Sequence, residues 1–537
     1  MGIPSYFSYI IKNHSNIIRS IRQCSRFQTL LMDCNSIVYD AYYALEKEYQ
    51  QNPSHKYPKR DQIEDILIKR VIDGIKKHIA YIQPTNLIYI AFDGVAPLAK
   101  MSQQRTRRYK SLFMSQIDDK PKIWNTVAIT PGTLFSKKLS AAVNREFRNK
   151  PQIYGVKKIL VSCADEAGEG EHKLFQYMRE NPAPLDEVAV YGLDSDLIML
   201  STLHKIYCKN IHIFREAPEF IKSIRDIPVP SDKILFLDIN EFSTYMFEEI
   251  ATDMSHSKNM TCEYIFICFF LGNDFLPHFP ALNIRTHGIQ ILLDTYKARV
   301  KENPGFALID PTNNEINWEN VKLFLCDIAK NERNYIIQEL DERKKWDKRY
   351  WSETTDEDKA NILDNVPVIY RQEEKYIDPN IPKWQSRYYN ILFDTQPESN
   401  IQSHIDIDNI CQNYFEGLEW TYKYYTKGCP DWRWKYNYTY PPLIEDLLQY
   451  LRTKQITPVY EFVSNKAQMP FTTYQQLAYV LPYRYLNLLP VKYCENLKTN
   501  YKEYYPERWV FQWAYCRYFW EAHPVLKEMG IEILGKI

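Results

Sequence analysis

Seven carboxylates in the N-terminal half of the chain fall where one cleft could collect them: Asp33, Asp93, Glu169, Glu171, Asp194, Asp196 and Asp274. Asp33 follows the apolar run Thr29–Met32, Asp93 follows Leu87–Phe92, and Asp194 with Asp196 follows Val188–Tyr191. Acids at the carboxyl ends of separate strands of an open α/β sheet converge on one crevice. Asp194 and Asp196 lie two apart, which on an extended backbone turns both to one face. Glu169 and Glu171 repeat that spacing between the glycines of Gly168–Lys173, where a tight approach is possible before a helix starts, and Asp274 follows the most apolar run of all, Tyr264–Leu271. Converging negative charges need a cation. Acids without clustered His or Cys select a hard, oxygen-liking ion, Mg²⁺ or Mn²⁺. Two such ions about 4 Å apart would clamp the attacking and leaving oxygens of a phosphodiester, the arrangement of nucleases and polymerases. Any one of these acids alone reads better as a helix cap or loop residue. Five segments together do not.

Beside the acids runs a basic stripe. Pro97 suits a first helical turn, and Lys100, Gln104, Arg107 and Arg108 then share one helical face, tethered closely enough to Asp93 to hold a substrate phosphate. A third feature is the segment Asp431–Pro442, with Trp432, Trp434, Tyr436, Tyr438 and Tyr440 at every second position. An extended backbone puts all five on one face, most of them buried, with at least one Trp stacking on a base.

The elements that must position these groups follow from the patterning. Residues 1–300 alternate short apolar runs, including Lys158–Ser162, with amphipathic stretches, as an α/β domain with a mostly parallel twisted sheet flanked by helices does. Residues 301–365 read as a helical, charged linker or insertion, and 366–537 as an appended, mostly helical, aromatic-rich region packing on the first. The 67 Lys+Arg cancel the 67 Asp+Glu, so nucleic-acid affinity has to come from local clusters. The longest apolar run is far below the ~20 residues of a membrane span. No P-loop is present, which disfavours nucleotide hydrolysis. The 11 cysteines form no C-x-x-C pair, so they read as reduced thiols in an intracellular protein. Cytoplasm is expected over nucleus.

These residues resemble the XRN family of 5′→3′ exoribonucleases. The likeness runs through Met1–Pro4, Asp33–Asn35, Phe92–Pro97, Gly168–Lys173, Gly192–Asp196 and Gly272–Pro277, then through Lys383–Tyr389, Phe415–Trp420 and Trp432–Pro442, so it covers nearly the whole chain. Because it begins at Met1, the acid-free stretch 1–32 reads as the first helix of the catalytic domain and not as a transit peptide. The resemblance implies a PIN/flap-nuclease-like core and a two-metal, Mg²⁺-dependent hydrolase that removes nucleotides one at a time from single-stranded RNA bearing a 5′-monophosphate. It implies that the seven acids hold the metals and that Lys100, Gln104, Arg107 and Arg108 form a pocket too small for a cap or triphosphate. Three positions depart from the family pattern: Leu98, Ala167, and Tyr39 in place of a base-stacking His. Tyr39 keeps a stacking ring. The chain is expected to act as a monomer. The competing readings are a flap-endonuclease-like DNA nuclease, disfavoured by the aromatic region, and an inactive RNA-end-binding scaffold, disfavoured because no metal-ligand position is lost.

Overall fold

The computed structural model describes residues 2–51, 59–117, 122–181, 185–218, 221, 233–250, 259–393, 406–454 and 456–537, the last range without 458, 459, 465 and 467. Seven strands form one sheet: β1 (Ile18–Arg19), β2 (Thr29–Asp33), β3 (Leu87–Ala91), β4 (Lys158–Ser162), β5 (Leu185–Tyr191), β6 (Cys208–Glu216) and β7 (Ile234–Asp238). Their order is β1-β7-β6-β5-β2-β3-β4. Strands β4, β3, β2, β5 and β6 are parallel, and β7 and β1 add antiparallel at one edge. All four apolar runs that the sequence marks as strands are strands, and the sheet is the mostly parallel one expected. The chain leaves β2 toward β3 and β4, then returns to the other side of β2 with β5. That reversal opens a crevice at the carboxyl ends of β2 and β5, where open α/β sheets bind ligands.

Both faces of the sheet are covered. Alternate side chains go to opposite faces: Leu30, Met32, Ile88, Ile90, Ala189 and Tyr191 join one core, while Leu31, Ala91, Val188 and Val190 join another. The first core is closed by α2 (Asn35–Gln51), α3 (Arg60–Ile82) and α5 (Leu134–Phe147). On the other face lie α1 (Tyr6–Asn13), α6 (Gly170–Glu180), α7 (Asp196–His204), α8 (Ile239–Ile250) and α9 (Met260–Phe269). The apolar run before Asp274 is thus helix α9 and not a strand; it is buried on all sides, so its sequence lacks the polar face that marks a surface helix.

The second core runs without a break into the C-terminal helices. Trp318, Tyr388, Trp420, Trp434 and Tyr436 belong to the same cluster as Leu31 and Val190. The charged stretch after Glu339 is anchored by ions: Arg343 and Glu374 are buried and paired at 2.6 Å. Helix α4 (Leu98–Ile117) is held by residues distant in sequence. Gln476 accepts from the Ala96 amide at 2.8 Å, and Arg105 donates to the carbonyls of Tyr504 and Lys527. The C-terminal region therefore fixes the helix that carries the basic stripe. No described helix is long and apolar enough to cross a membrane.

Candidate active site

The backbone of three loops brings the acids together. Asp33 ends β2, and Asp93 lies two residues past β3. The β3–α4 loop is zipped to the β4–α6 loop by Gly94 N donating to Gly168 O and Gly168 N to Val95 O, both at 2.8 Å. A Cβ on Gly94 would stand 1.7 Å from the Glu166 carbonyl oxygen, so only glycine permits this approach. Glu169 is the N-cap residue of α6 yet makes no capping bond, leaving its carboxylate for the cleft. The Gly170 amide, first of the helix, donates to Asp93 Oδ1 at 2.7 Å. The partial positive end of α6 faces the acids, an offset to their repulsion.

One cavity of about 330 Å³ is lined by six of the seven acids, Asp33, Asp93, Glu169, Glu171, Asp194 and Asp274, and by Tyr39, Lys100, Gln104, Arg107 and Arg108. Asp33, Asp93 and Glu171 each bring a carboxylate oxygen within 4.8 Å of one another. Burial, then Asp93 and Asp194, push the Asp33 carboxyl well above its ordinary range, and burial with Glu169 and Asp33 does the same to Glu171. Asp33 Oδ1 is buried without a hydrogen-bond partner. A buried acceptor left unpaired among like charges suits a divalent cation, and this trio offers oxygen only, the donor set of Mg²⁺ or Mn²⁺.

Asp196 does not line the cavity but stays beside its acids. Helix α7 begins at Asp196, so the extended geometry that paired it with Asp194 does not hold; its buried carboxylate lies close enough to Asp274, Lys100 and Asp194 to feel their charges. There a Cβ on Gly2 would fall 1.6 Å from Asp196 Oδ1, and burial raises the acid to about 6.

Lys100 reaches from the stripe to the acids. Its Nζ lies 2.6 Å from Glu169 Oε2 and 2.8 Å from Asp274 Oδ2, while Gln104, Arg107 and Arg108 line the same cavity. The nearest uncompensated negative charge captures a flexible ammonium. Burial alone would raise Asp274, but Lys100, with the N-terminal amine and Arg107, holds it down to about 2. In the same cavity Arg108 donates to Thr130 Oγ1, its Nε is buried without a partner, and burial lowers it to about 10.

Of the rings expected to stack, Tyr39 is half-buried in the cavity wall. Trp434 is corrected: it is buried, stacked on Trp420 at 5.2 Å with its indole N–H on Glu416, which leaves no face for a base. Nor do the five alternating aromatics share one surface, since Trp434, Tyr436 and Tyr440 are buried while Trp432 and Tyr438 are partly exposed. The Trp432 carbonyl accepts from the Leu98 amide at the start of α4, and its ring does not line the cavity.

Other groups at the site escaped the sequence reading. Tyr424 donates to Glu169 Oε1 at 2.8 Å and stacks on His172 with ring centroids 3.7 Å apart. It arrives from the helix Ile407–Thr426, 255 positions away, and nothing local announces it. Tyr43 lines the cavity one turn after Tyr39, a helical spacing that could have been read. Asn35, Ser36, Asp40, Gln103 and Thr130 are also in the lining.

Gly170 gives a first prediction. A Cβ there would stand 2.5 Å from Asp33 Oδ1, the movable end of a side chain. Gly170→Ala should leave the melting temperature nearly unchanged while displacing Asp33, and a shift of ~0.5 Å is enough to spoil a catalytic constellation. Hydrolysis should fall on the order of a hundredfold, a result checked by parallel melting curves and rate measurements.

The chain matches the family described as "XRN 5′-3′ exonuclease N-terminus" over residues 1–217 and that described as "Xrn1 helical domain" over 256–378 and 380–522. It is 24% identical to the 5′-3′ exoribonuclease 2 homolog of Drosophila melanogaster, over 98% of this chain and 69% of that protein. It is equally 24% identical to 5′-3′ exoribonuclease 1 of Schizosaccharomyces pombe, over 97% of this chain and 47% of the relative, and to 5′-3′ exoribonuclease 1 of Homo sapiens, over 94% and 32%. The match thus spans less than half of the latter two proteins.

Proposed function

Because the chain belongs to the XRN family of 5′-3′ exonucleases, we propose that it hydrolyses single-stranded, 5′-monophosphorylated RNA from its 5′ end, releasing nucleoside monophosphates with the help of two Mg²⁺ ions. The observation that carries this reading is one cavity lined both by six acids and by Gln104, Arg107 and Arg108. Asp33, Asp93 and Glu171 would hold one ion, with Glu169, Asp194, Asp274 and Asp196 the remaining candidates. Bound there, Mg²⁺ or Mn²⁺ supplies Lewis-acid stabilisation of the charge on the attacking and leaving oxygens. Arg107 and Arg108 grip the terminal phosphate through charge-assisted hydrogen bonds, which fixes the next phosphodiester against the acids. Tyr39 offers its ring to the first base. Such an enzyme degrades RNA as a monomer inside the cell, in keeping with 11 cysteines that form no C-x-x-C pair, and acts in the cytoplasm.

Rates on four RNAs differing only at the 5′ end test the reading. The monophosphate should be consumed far faster than the hydroxyl, capped or triphosphate forms. Arg108→Ala should narrow the monophosphate-to-hydroxyl ratio by about tenfold to a hundredfold, since a hydrogen bond to a charged group is worth ~1.5–3 kcal/mol. Equal rates on all four ends would overturn it, and faster cutting of flap DNA would favour the DNA-nuclease alternative.

A further inference from the structure

Glu169 is held from two sides. Its Oε2 lies 2.6 Å from Lys100 Nζ, and its Oε1 accepts from the Tyr424 hydroxyl at 2.8 Å. The two donors differ in kind. Lys100 ends a flexible stem that can follow the carboxylate wherever it turns. Tyr424 is 3% exposed, and packing fixes its ring: the centroid lies 3.7 Å from that of His172 in a stack, 4.7 Å from Trp420 and 5.7 Å from the edge-on Phe275. Phe275 follows Asp274, so the same ring also packs on the segment that carries a second acid. The position of the hydroxyl is therefore set by the surrounding rings and not by Glu169.

A buried tyrosine usually finds some acceptor for its hydroxyl, and that alone gives it no role. Tyr422 of the same helix is such a case, donating to Asn314 Oδ1 at 2.9 Å. Tyr424 differs in its partner. Glu169 is the N-cap residue of α6 without a capping bond, and the Gly170 amide is taken by Asp93, so the start of its own helix does not orient this carboxylate. A carboxylate oxygen of Glu169 lies within 4.8 Å of one of Glu171, a member of the oxygen-only trio. An ionised carboxylate has about four acceptor positions, of which Lys100 and Tyr424 use two. Carboxylates that ligate metals are themselves hydrogen-bonded, and that second bond decides which lone pair the ion meets.

We propose that Tyr424 is a positioning residue for metal binding: its hydroxyl holds Glu169 Oε1 so that the remaining lone pairs of that carboxylate face a divalent cation in the cleft. The proposal rests on the metal reading above. Its test is Mn²⁺ binding to metal-free wild type, Tyr424→Phe and Tyr422→Phe, followed by the loss of the electron paramagnetic resonance signal of free Mn²⁺. Phenylalanine keeps each ring and removes one hydroxyl, and melting curves check that both variants fold. Tyr424→Phe should weaken Mn²⁺ binding by about tenfold to a hundredfold, as loss of a ligand's hydrogen-bond partner does. Tyr422→Phe should bind as wild type does. With Mn²⁺ limiting, kcat of Tyr424→Phe should fall and then recover as Mn²⁺ is raised, while KM for RNA stays at the wild-type value. In a Glu169→Gln background Tyr424→Phe should add nothing, since the two substitutions remove the same arrangement. Undiminished Mn²⁺ affinity in Tyr424→Phe would overturn the proposal, as would an equal loss in Tyr422→Phe or a full further loss in the Glu169→Gln background. A wild type that takes up no Mn²⁺ would instead overturn the metal reading of the cleft.

Discussion

Asp33→Asn should lower hydrolysis by at least about a thousandfold and, in metal-free protein, raise the melting temperature. The two effects share one cause. Asp33 is buried among Asp93, Asp194 and Glu169, and its raised proton affinity measures how strongly that setting resists its charge. Asparagine keeps the shape and removes the charge, which relieves the fold and deprives the site of the oxygen best placed for a cation. The pH dependence has a fixed sign. A carboxyl with a raised folded pKa favours folding fully below its unfolded value near 4, and that contribution is lost as pH rises toward the folded value. The stability gain of Asp33→Asn over wild type should therefore be near zero at pH ~4 and grow toward pH 8. Adding Mg²⁺ should raise the wild-type melting temperature at pH 8 and move the variant much less. A variant that turns over RNA normally, or that melts lower than wild type across this range, would remove Asp33 from the metal site.

What the sequence discloses of this site depends on whether position or distance decides it. The α/β class and the strands β2, β3, β4 and β5 were legible because their apolar runs are short, unbroken and followed closely by acids or glycine. Strands β6 and β7 were not, since Cys208–Glu216 mixes polar with apolar residues and reads as no clear period. The acids at the ends of β2, β3 and β5 were legible for the same reason as the strands. The geometry at Asp196 was not legible, because spacing of two implies a common face only on an extended chain and α7 begins at that residue. Trp434 and Tyr424 were beyond local reading. The same dense aromatic composition serves a core and a binding platform, and only the helix Ile407–Thr426 packing under α6 separates Tyr424 on Glu169 from Trp434 in the interior. Helix spacing placed Lys100 with Gln104, Arg107 and Arg108, but spacing carries no record of where a long, flexible side chain finds its counter-charge.

Lys100→Met should have the opposite effect on stability to Asp33→Asn. Lys100 is the cation bridging Glu169 and Asp274 at 2.6 and 2.8 Å, and its proton is held well above the usual lysine range by Asp274 and Glu169 against the cost of burial. Removing the shared cation of a buried ion pair leaves both acids with less compensation, a loss of up to about 3–5 kcal/mol. Methionine fills the volume of the lysine stem, so the loss reads out charge and not a cavity. In metal-free protein at pH 8 the variant should melt well below wild type. Lowering the pH should recover part of the difference, because without Lys100 the cost of burial bears more heavily on the Asp274 carboxyl and raises its proton affinity. Mg²⁺ should recover part of it too, since a cation offsets the same acids. Hydrolysis should fall for every 5′ end alike if Lys100 serves the acid wall, in contrast with Arg108→Ala, whose loss is confined to the monophosphate. Wild-type melting in Lys100→Met, or a loss of activity seen only with monophosphorylated RNA, would return Lys100 to the phosphate wall with Gln104, Arg107 and Arg108.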